Sequence, residues 1–345
     1  MASQKRHGPV PHLRAAPKPP GVESQVEVMP LGIKAMPTTV SDLAEGGNVA
    51  TPANSEVEAI RKPALDYVES WYSGDAARME SAVHPELSKR FVRSIVPGSA
   101  YLDECGASKL IAWAASGEGT KVPKEYRRKT VTVLDHDALA NRLAIVKVIG
   151  ATGVEYLQEA KFGEQWRIVN ILSEPKKLSP FQLELFSPSG AAEEPAAQQS
   201  EDVGQIRKMV IDYMGGWSTG DVVRGSGALH SGLSKRYLRS GSSGHFFLQP
   251  FGADMFIQWA SARSQEGALL WGRREDEEAK VQVSVLDHSG DIASVKALCH
   301  FDENGENPVG LEYVDGVKLD GQWKGVNIIS QSGPVADGDW RTWQW

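Results

Sequence analysis

Cysteine is scarce in this chain. Only Cys105 and Cys299 occur in 345 residues, one in each half and not at corresponding positions. No metal-ligand spacing surrounds either, so neither a disulfide framework nor a metal site is expected, and a reducing, cytoplasmic compartment is the expected location. Long apolar runs are missing as well, which excludes a membrane-spanning helix from the expectations. Positive charge is in deficit: Lys and Arg number 37 against 44 Asp and Glu, and the net charge of -7 argues against a nucleic-acid partner. Nucleophile elbow, phosphate loop and dinucleotide fingerprint are all missing, so no cofactor is expected.

The N-terminus has Lys5, Arg6 and Arg14 but no apolar segment of the signal-peptide kind. It also lacks early acidic residues, as organelle transit peptides do. However, Pro9, Pro11, Pro17, Pro19 and Pro20 would break the helix such a peptide needs. Residues 1–53 are therefore expected to be a disordered arm. From Ser55 onward apolar residues recur at helical spacing: Ile60, Ala64, Tyr67, Val68 and Trp71. Pro63 lies inside that pattern, so the helix is either kinked there or begins there. Gly74 suits a left-handed terminal position, and Asp75 can cap the next short helix. A further helix is predicted around Lys109–Ala114. Beyond Thr130 the period shortens to two, and short strands joined by tight polar turns predict an antiparallel meander.

What the chain has most of is itself. His84-Pro85-Glu86-Leu87-Ser88-Lys89-Arg90 returns as His230-Ser231-Gly232-Leu233-Ser234-Lys235-Arg236. Asp66-Tyr67 returns as Asp212-Tyr213, Trp71 as Trp217, Gly74-Asp75 as Gly220-Asp221, and Trp113 as Trp259. Trp166 and Val169-Asn170-Ile171 return as Trp323 and Val326-Asn327-Ile328. The added residues fall near Trp271–Glu278 and Asn304–Pro308, between predicted elements, where insertions are tolerated. The fold expected is α+β, with one domain duplicated in tandem: residues 54–175, a Pro-rich linker over 176–201, and residues 202–332. Residues 333–345 form a tail with Trp340, Trp343 and Trp345.

Several stretches together resemble a known family. They are Tyr67-x-x-x-Trp71 with Gly74-Asp75, His84-Pro85-Glu86-Leu87-x-Lys89-Arg90, Val133-Leu134-Asp135, Ala144-x-Val146-Lys147-Val148, Glu155-Tyr156-Leu157 and Gly163-x-x-Trp166-Arg167-Ile168-Val169-Asn170. They are similar to the "putative lumazine-binding" subgroup of the nuclear transport factor 2-like superfamily. The resemblance covers residues 56–175 and 202–332, and the second copy departs from it at Ser231-Gly232 and Gly325-Val326. It implies two tandem cone-shaped domains, each with helices packed on a curved antiparallel sheet and a pocket at the wide end. Relatives include ketosteroid isomerases, scytalone dehydratases, polyketide cyclases, epoxide hydrolases and non-catalytic domains, so the fold leaves function open. Such domains commonly pair through their sheets, which implies an intramolecular pseudo-dimer here.

Among residues that could carry chemistry, His84 and His230 come first, as general acid or base facing a pocket. The alternative for each is a ring that caps a helix end or bonds the backbone. Arg90 and Arg236 could grip an anionic ligand, but neighbours on a strand point to opposite faces, so only one of each Lys-Arg pair can face a pocket. Tyr67, Trp71 and Trp113, with Tyr213, Trp217 and Trp259, are the expected aromatic lining, although helical spacing serves a core equally well. Asp135-His136 and Asp287-His288 read as hairpin-turn residues. The leading function is binding of a small hydrophobic or aromatic molecule. Alternatives are a cofactor-independent dehydratase, isomerase or cyclase using a pocket His, and an interaction scaffold using the sheets and the Trp tail.

Overall fold

The computed structural model describes residues 52–96, 99–137, 141–151, 153–175, 196–241, 243–266, 280–300 and 308–332. The expected N-terminal arm, the Trp tail, both insertion loops and nearly all of the linker lie outside the described residues. The first domain runs α1 (Pro52–Ser73), α2 (Ala76–Ala82), β1 (Val83–Val96), β2 (Ser99–Gly106), α3 (Ala107–Ala115), β3 (Thr130–His136), β4 (Leu143–Gly150), β5 (Gly153–Phe162) and β6 (Gln165–Pro175). The second repeats that order as α4 (Ala196–Thr219), α5 (Val222–Gly227), β7 (Leu229–Ser240), β8 (Phe246–Phe251), α6 (Ala253–Glu266), β9 (Lys280–Ser289), β10 (Ile292–His300), β11 (Pro308–Leu319) and β12 (Gln322–Ser332). Helix α4 begins six residues inside the expected linker. Pro63 lies within α1, so the helix does not start there.

Each domain is one six-stranded sheet, ordered β2-β1-β6-β5-β4-β3 and β8-β7-β12-β11-β10-β9. Most neighbours are antiparallel, as the short hairpins require. The expected all-antiparallel sheet is corrected at one seam: β1 runs parallel to β6, and β7 parallel to β12. Strand β1 enters from α2 and joins the sheet beside the last strand, a long-range pairing that no local turn announces.

Local chemistry explains the helical layer. The α1–α2 corner turns on Gly74, at φ +75°, and the Asp75 carboxylate accepts the Arg78 backbone N–H at 2.9 Å. Gly220, at φ +74°, and Asp221 repeat the corner, with the Arg224 N–H 3.0 Å from the carboxylate. At the other end of α1, Glu56 accepts the Trp166 indole N–H at 2.7 Å and Lys161 Nζ at 3.1 Å. Asp202 holds Trp323 and Lys318 in the same way, at 3.2 and 2.7 Å. A carboxylate at the start of each long helix thus latches the β5–β6 or β11–β12 hairpin beneath it.

Both faces of each sheet are buried. One face packs on the helices, around Ile60, Leu157 and Ile168 in the first domain and Ile206, Val314 and Ile328 in the second. The other faces the second sheet, where Leu143, Ile145 and Val169 meet Leu238, Leu311 and Ile329. Polar groups cross this contact in matched pairs. Tyr156 donates to Asp287 at 2.5 Å and Tyr313 to Asp135 at 2.8 Å, while Lys147 and Lys296 reach the same carboxylates at 2.5 and 2.6 Å. Asp135 and Asp287 are therefore strand residues that brace the two domains, a correction to their reading as turn residues. Their strands are longer than the alternation suggested because each bulges beside the aspartate.

At the centre of the contact, the Asn170 amide donates to Gln158 Oε1 at 2.8 Å, and Gln158 donates to the Tyr313 and Asn327 carbonyls at 3.2 and 3.3 Å. Asp315 is fully buried here, with Ser294 donating at 2.9 Å. Burial pushes its pKa up to about 7, against the smaller lowering effect of Ser294, Gln158 and Asn327. An acid whose folded pKa is raised favours the fold below its unfolded pKa, and this contribution is lost as pH rises. We expect the melting temperature to fall between pH 4 and pH 7 by more in the native chain than in Asp315→Asn. Parallel melting curves for the two proteins across that range would contradict the assignment.

Candidate functional site

A cavity of about 440 Å³ lies in the first domain between the helices and the inner sheet face. That volume falls within the range of small-molecule sites, about 300–1,000 Å³. Helix α1 supplies Tyr67, Trp71 and Tyr72 at its wall, α3 supplies Leu110 and Trp113, and β1 supplies Lys89, Phe91 and Arg93. Val148 and Glu155 come from the neighbouring strands β4 and β5. The wall is thus mainly aromatic and aliphatic, with Arg93 and Glu118 also on it and one buried polar corner at Lys89 and Glu155.

That corner is a closed triad. Lys89 Nζ donates to the Tyr67 hydroxyl and, at 2.5 Å, to Glu155 Oε1. All three residues are buried. The ammonium also stands 4.8 Å from the Phe91 ring centroid and 5.1 Å from that of Tyr67, within cation–π range. Burial, reinforced by the Glu155 charge, pushes the Tyr67 hydroxyl well above the ordinary phenol range, so it stays protonated. The second domain repeats the triad: Lys235 donates to Tyr213 and, at 2.5 Å, to Glu312, and Tyr213 donates to Glu312 at 2.9 Å. Burial lowers the Lys235 pKa, but Glu312 outweighs it and the net shift is upward, so the ammonium stays charged.

Of the residues singled out from the sequence, Tyr67, Trp71 and Trp113 stand on the cavity wall. Tyr213, Trp217 and Trp259 belong to the second domain's core, where the surroundings differ. There the rings of Tyr213, Phe256, Trp217, Phe251 and Tyr237 form a chain with successive centroids 5.7, 5.6, 5.8 and 5.6 Å apart. The first domain has Leu110 and Cys105 where the second has Phe256 and Phe251. Gly225, in the place of Met79, gives part of the room for Phe256: a Cβ there would stand 2.3 Å from the ring.

Arg90 and Arg236 do not face the cavity. Arg90 donates to Asn327 Oδ1 at 2.9 Å and to the Gly232 carbonyl, both in the other domain, and Arg236 returns the contact to the Glu86 carbonyl at 3.2 Å. The expected anion grip is replaced by a reciprocal clamp between domains, because alternation on β1 turns Lys89 inward and Arg90 outward. The His84 and His230 rings also lie away from the cavity wall. His84 Nδ1 accepts the Glu86 backbone N–H at 3.2 Å and its ring stacks on Phe162 at 4.6 Å; His230 Nδ1 accepts the Gly232 N–H at 3.0 Å. Each imidazole thus fixes the irregular start of β1 or β7 before the regular pairing begins. Burial, then the charges of Arg167 and Arg236, lower the His84 pKa to about 4.

Glu155 and Glu312 were not selected from the sequence, and Lys89 and Lys235 were read only as members of Lys-Arg pairs that could bind an anion. A signal was present: Glu155-Tyr156 recurs as Glu312-Tyr313, at the same 157-residue offset as Trp166 and Trp323.

Two helix-covered mixed sheets in tandem, with a cavity between helix and sheet in the first, define a duplicated α+β protein. Residues 55–172 match the family model described as "Putative lumazine-binding". No curated protein matches the chain. Solved structures that are similar include an NTF2-like protein of unknown function from Shewanella baltica, at 13% identity, covering 41% of this chain and 99% of its own, with a TM-score of 0.29. Another, from Methylobacillus flagellatus, shares 20% identity over 38% of this chain and 92% of its own, at a TM-score of 0.28. A protein from Streptomyces avermitilis described as a putative dehydratase of the NTF2-like family shares 13% identity over 39% and 97%, at 0.27.

Breaking a buried ion pair costs about 3–5 kcal/mol because the surviving charge is stranded, whereas replacing both partners by apolar groups costs much less. Lys89→Met and Glu155→Leu are each expected to lower stability by that order in urea unfolding, and the double variant to recover most of it. Additive losses would contradict a coupled pair. For His84, Ala substitution should lose about 1 kcal/mol, while Asn, which can accept the same i+2 N–H, should lose little. Equal losses in the two variants would refute the turn-fixing role.

Proposed function

We propose that this protein binds a small, largely apolar aromatic molecule in the cavity of its first domain. One observation carries the reading: a cavity of about 440 Å³ is walled by Tyr67, Trp71, Tyr72, Phe91 and Trp113 and has a buried, charge-compensated corner at Lys89 and Glu155, with Arg93 and Glu118 also on its lining. Rings on the wall supply apolar burial, and the corner supplies orientation. Binding without a histidine-driven reaction fits best, since both histidines are engaged with backbone N–H groups away from the wall. The second domain serves as a companion in an intramolecular pseudo-dimer, a role supported by the apolar clusters and paired Tyr–Asp bonds across the sheets. Two buried cysteines that form no disulfide suit a cytoplasmic setting.

The test is native mass spectrometry of the purified chain for a co-purifying molecule, followed by thermal-shift measurements against a panel of bicyclic aromatics. A ligand at a hundred times its Kd adds about 2.7 kcal/mol, a shift of several degrees. The shift should vanish in Val122→Trp, which places an indole at a half-buried position on the wall. If nothing co-purifies and no panel member shifts the native chain, or if Val122→Trp responds equally, the proposal fails.

A further inference from the structure

The two copies differ at the atom that completes the polar corner. Lys235 donates to the Tyr213 hydroxyl and, at 2.5 Å, to Glu312, and the ring of Tyr237, which bears a hydroxyl, stands 4.5 Å from Nζ. An ammonium carries three N–H donors, so one is left for an acceptor on that side. The position equivalent to Tyr237 is Phe91, 146 residues earlier. Its ring holds the same place, 4.8 Å from Lys89 Nζ, but has no hydroxyl. Among the described residues Lys89 donates to Tyr67 and Glu155, which leaves one N–H of a buried ammonium beside the cavity. An unpartnered charged donor in a dry site is costly, and an acceptor placed there gains a charge-assisted bond.

The second domain also indicates what accompanies that oxygen. Phe251 packs edge-on against Tyr237 at 5.6 Å and against Trp217 at 5.8 Å. In the first domain that residue is Cys105, and Phe91 and Trp71 border open space instead. Resting on the reading of the cavity as a ligand site, we infer that the ligand is an aromatic ring bearing a neutral oxygen acceptor, as in a phenol or an aryl ketone. Its oxygen accepts from Lys89 where Tyr237 supplies its own hydroxyl, and its ring lies against Phe91 and Trp71. Beside Lys89 a carboxylate fits less well, because Glu155 already balances it at 2.5 Å and would repel a second anion, and Arg93, also on the lining, faces Asp103 at 3.8 Å.

The experiment compares 2-naphthol with 2-methylnaphthalene, which differ little in size, by equilibrium dialysis against the full-length chain, Phe91→Tyr and Val122→Trp. On the native chain 2-naphthol should bind about tenfold more tightly, as a hydrogen bond to a charged donor provides. Phe91→Tyr installs the second domain's hydroxyl and should reduce that preference to near unity, while Val122→Trp should weaken both probes. Should Phe91→Tyr fail to fold, as judged by circular dichroism, the Lys89→Met/Glu155→Leu double variant takes its place with the same expected loss of preference. Equal binding of the two probes to the native chain, or a preference that survives the removal of the free N–H, overturns the oxygen assignment while leaving the cavity reading standing. Binding of neither probe, or binding indifferent to Val122→Trp, overturns the cavity reading itself.

Discussion

The central strands of each sheet are buried on both faces, and the placement of Lys89, Arg90 and their counterparts follows from that. A strand with one wet face can leave its polar residues in solvent; these strands cannot. Lys89 and Arg90 are adjacent and both almost fully buried, so each must find partners on its own side of the sheet. Lys89 turns toward the helices and meets Tyr67 and Glu155. Arg90 turns toward the other domain and meets Asn327 and the Gly232 carbonyl. One dipeptide thus ties together the cavity and the domain contact, and its counterpart Lys235-Arg236 does the same from the other side.

Duplication lets two interiors diverge on one scaffold. The triad, the helix caps and the latch at the start of the long helix recur in both domains, and these are the features that hold elements together. The space beside the triad does not recur. Small and flexible side chains at Leu110, Cys105 and Met79 give way to Phe256, Phe251 and Gly225, and the second interior becomes a chain of touching rings. Exchanging Met for Gly while exchanging Leu for Phe conserves volume locally, which keeps a close-packed core tolerable. The first domain retains open volume against aromatic walls, and open volume costs stability unless something fills it.

Repetition made much of this legible in the sequence. Residues that return at a constant offset marked the domains, the caps at Asp75 and Asp221, and the Tyr and Trp positions of the long helices. Period-two alternation also required that only one of Lys89 and Arg90 face inward, but not which one, because both faces of β1 are equally dry. That choice depends on the parallel pairing of β1 with β6, a contact between distant segments. His84 drew attention as a titratable residue kept in both copies, yet an imidazole that accepts an i+2 N–H repeats for structural reasons alone. Asp135 was hidden by its neighbours: Asp-His-Asp reads as a turn until a second sheet stands opposite to use the carboxylate.

A duplicated chain also escapes a constraint that binds true homodimers. Around a two-fold axis, identical subunits must place identical side chains against one another. The clamp retains that feature: Arg90 and Arg236 reach reciprocally across the contact, and burial, then the charge of Arg236, lower the Arg90 pKa. At the centre the copies differ. Gln158 occupies the position that Asp315 holds in the second domain, and its amide lies beside that buried carboxyl. Two aspartates there would put two desolvated acids side by side, and two glutamines would leave amide oxygens facing each other with fewer donors. With one acid and one amide, Ser294 donates to one Asp315 oxygen, while Asp315 Oδ2 and Asn327 Nδ2 have no hydrogen-bond partner among the described residues. The price is a carboxyl whose pKa, at about 7, makes the domain contact responsive to pH near neutrality.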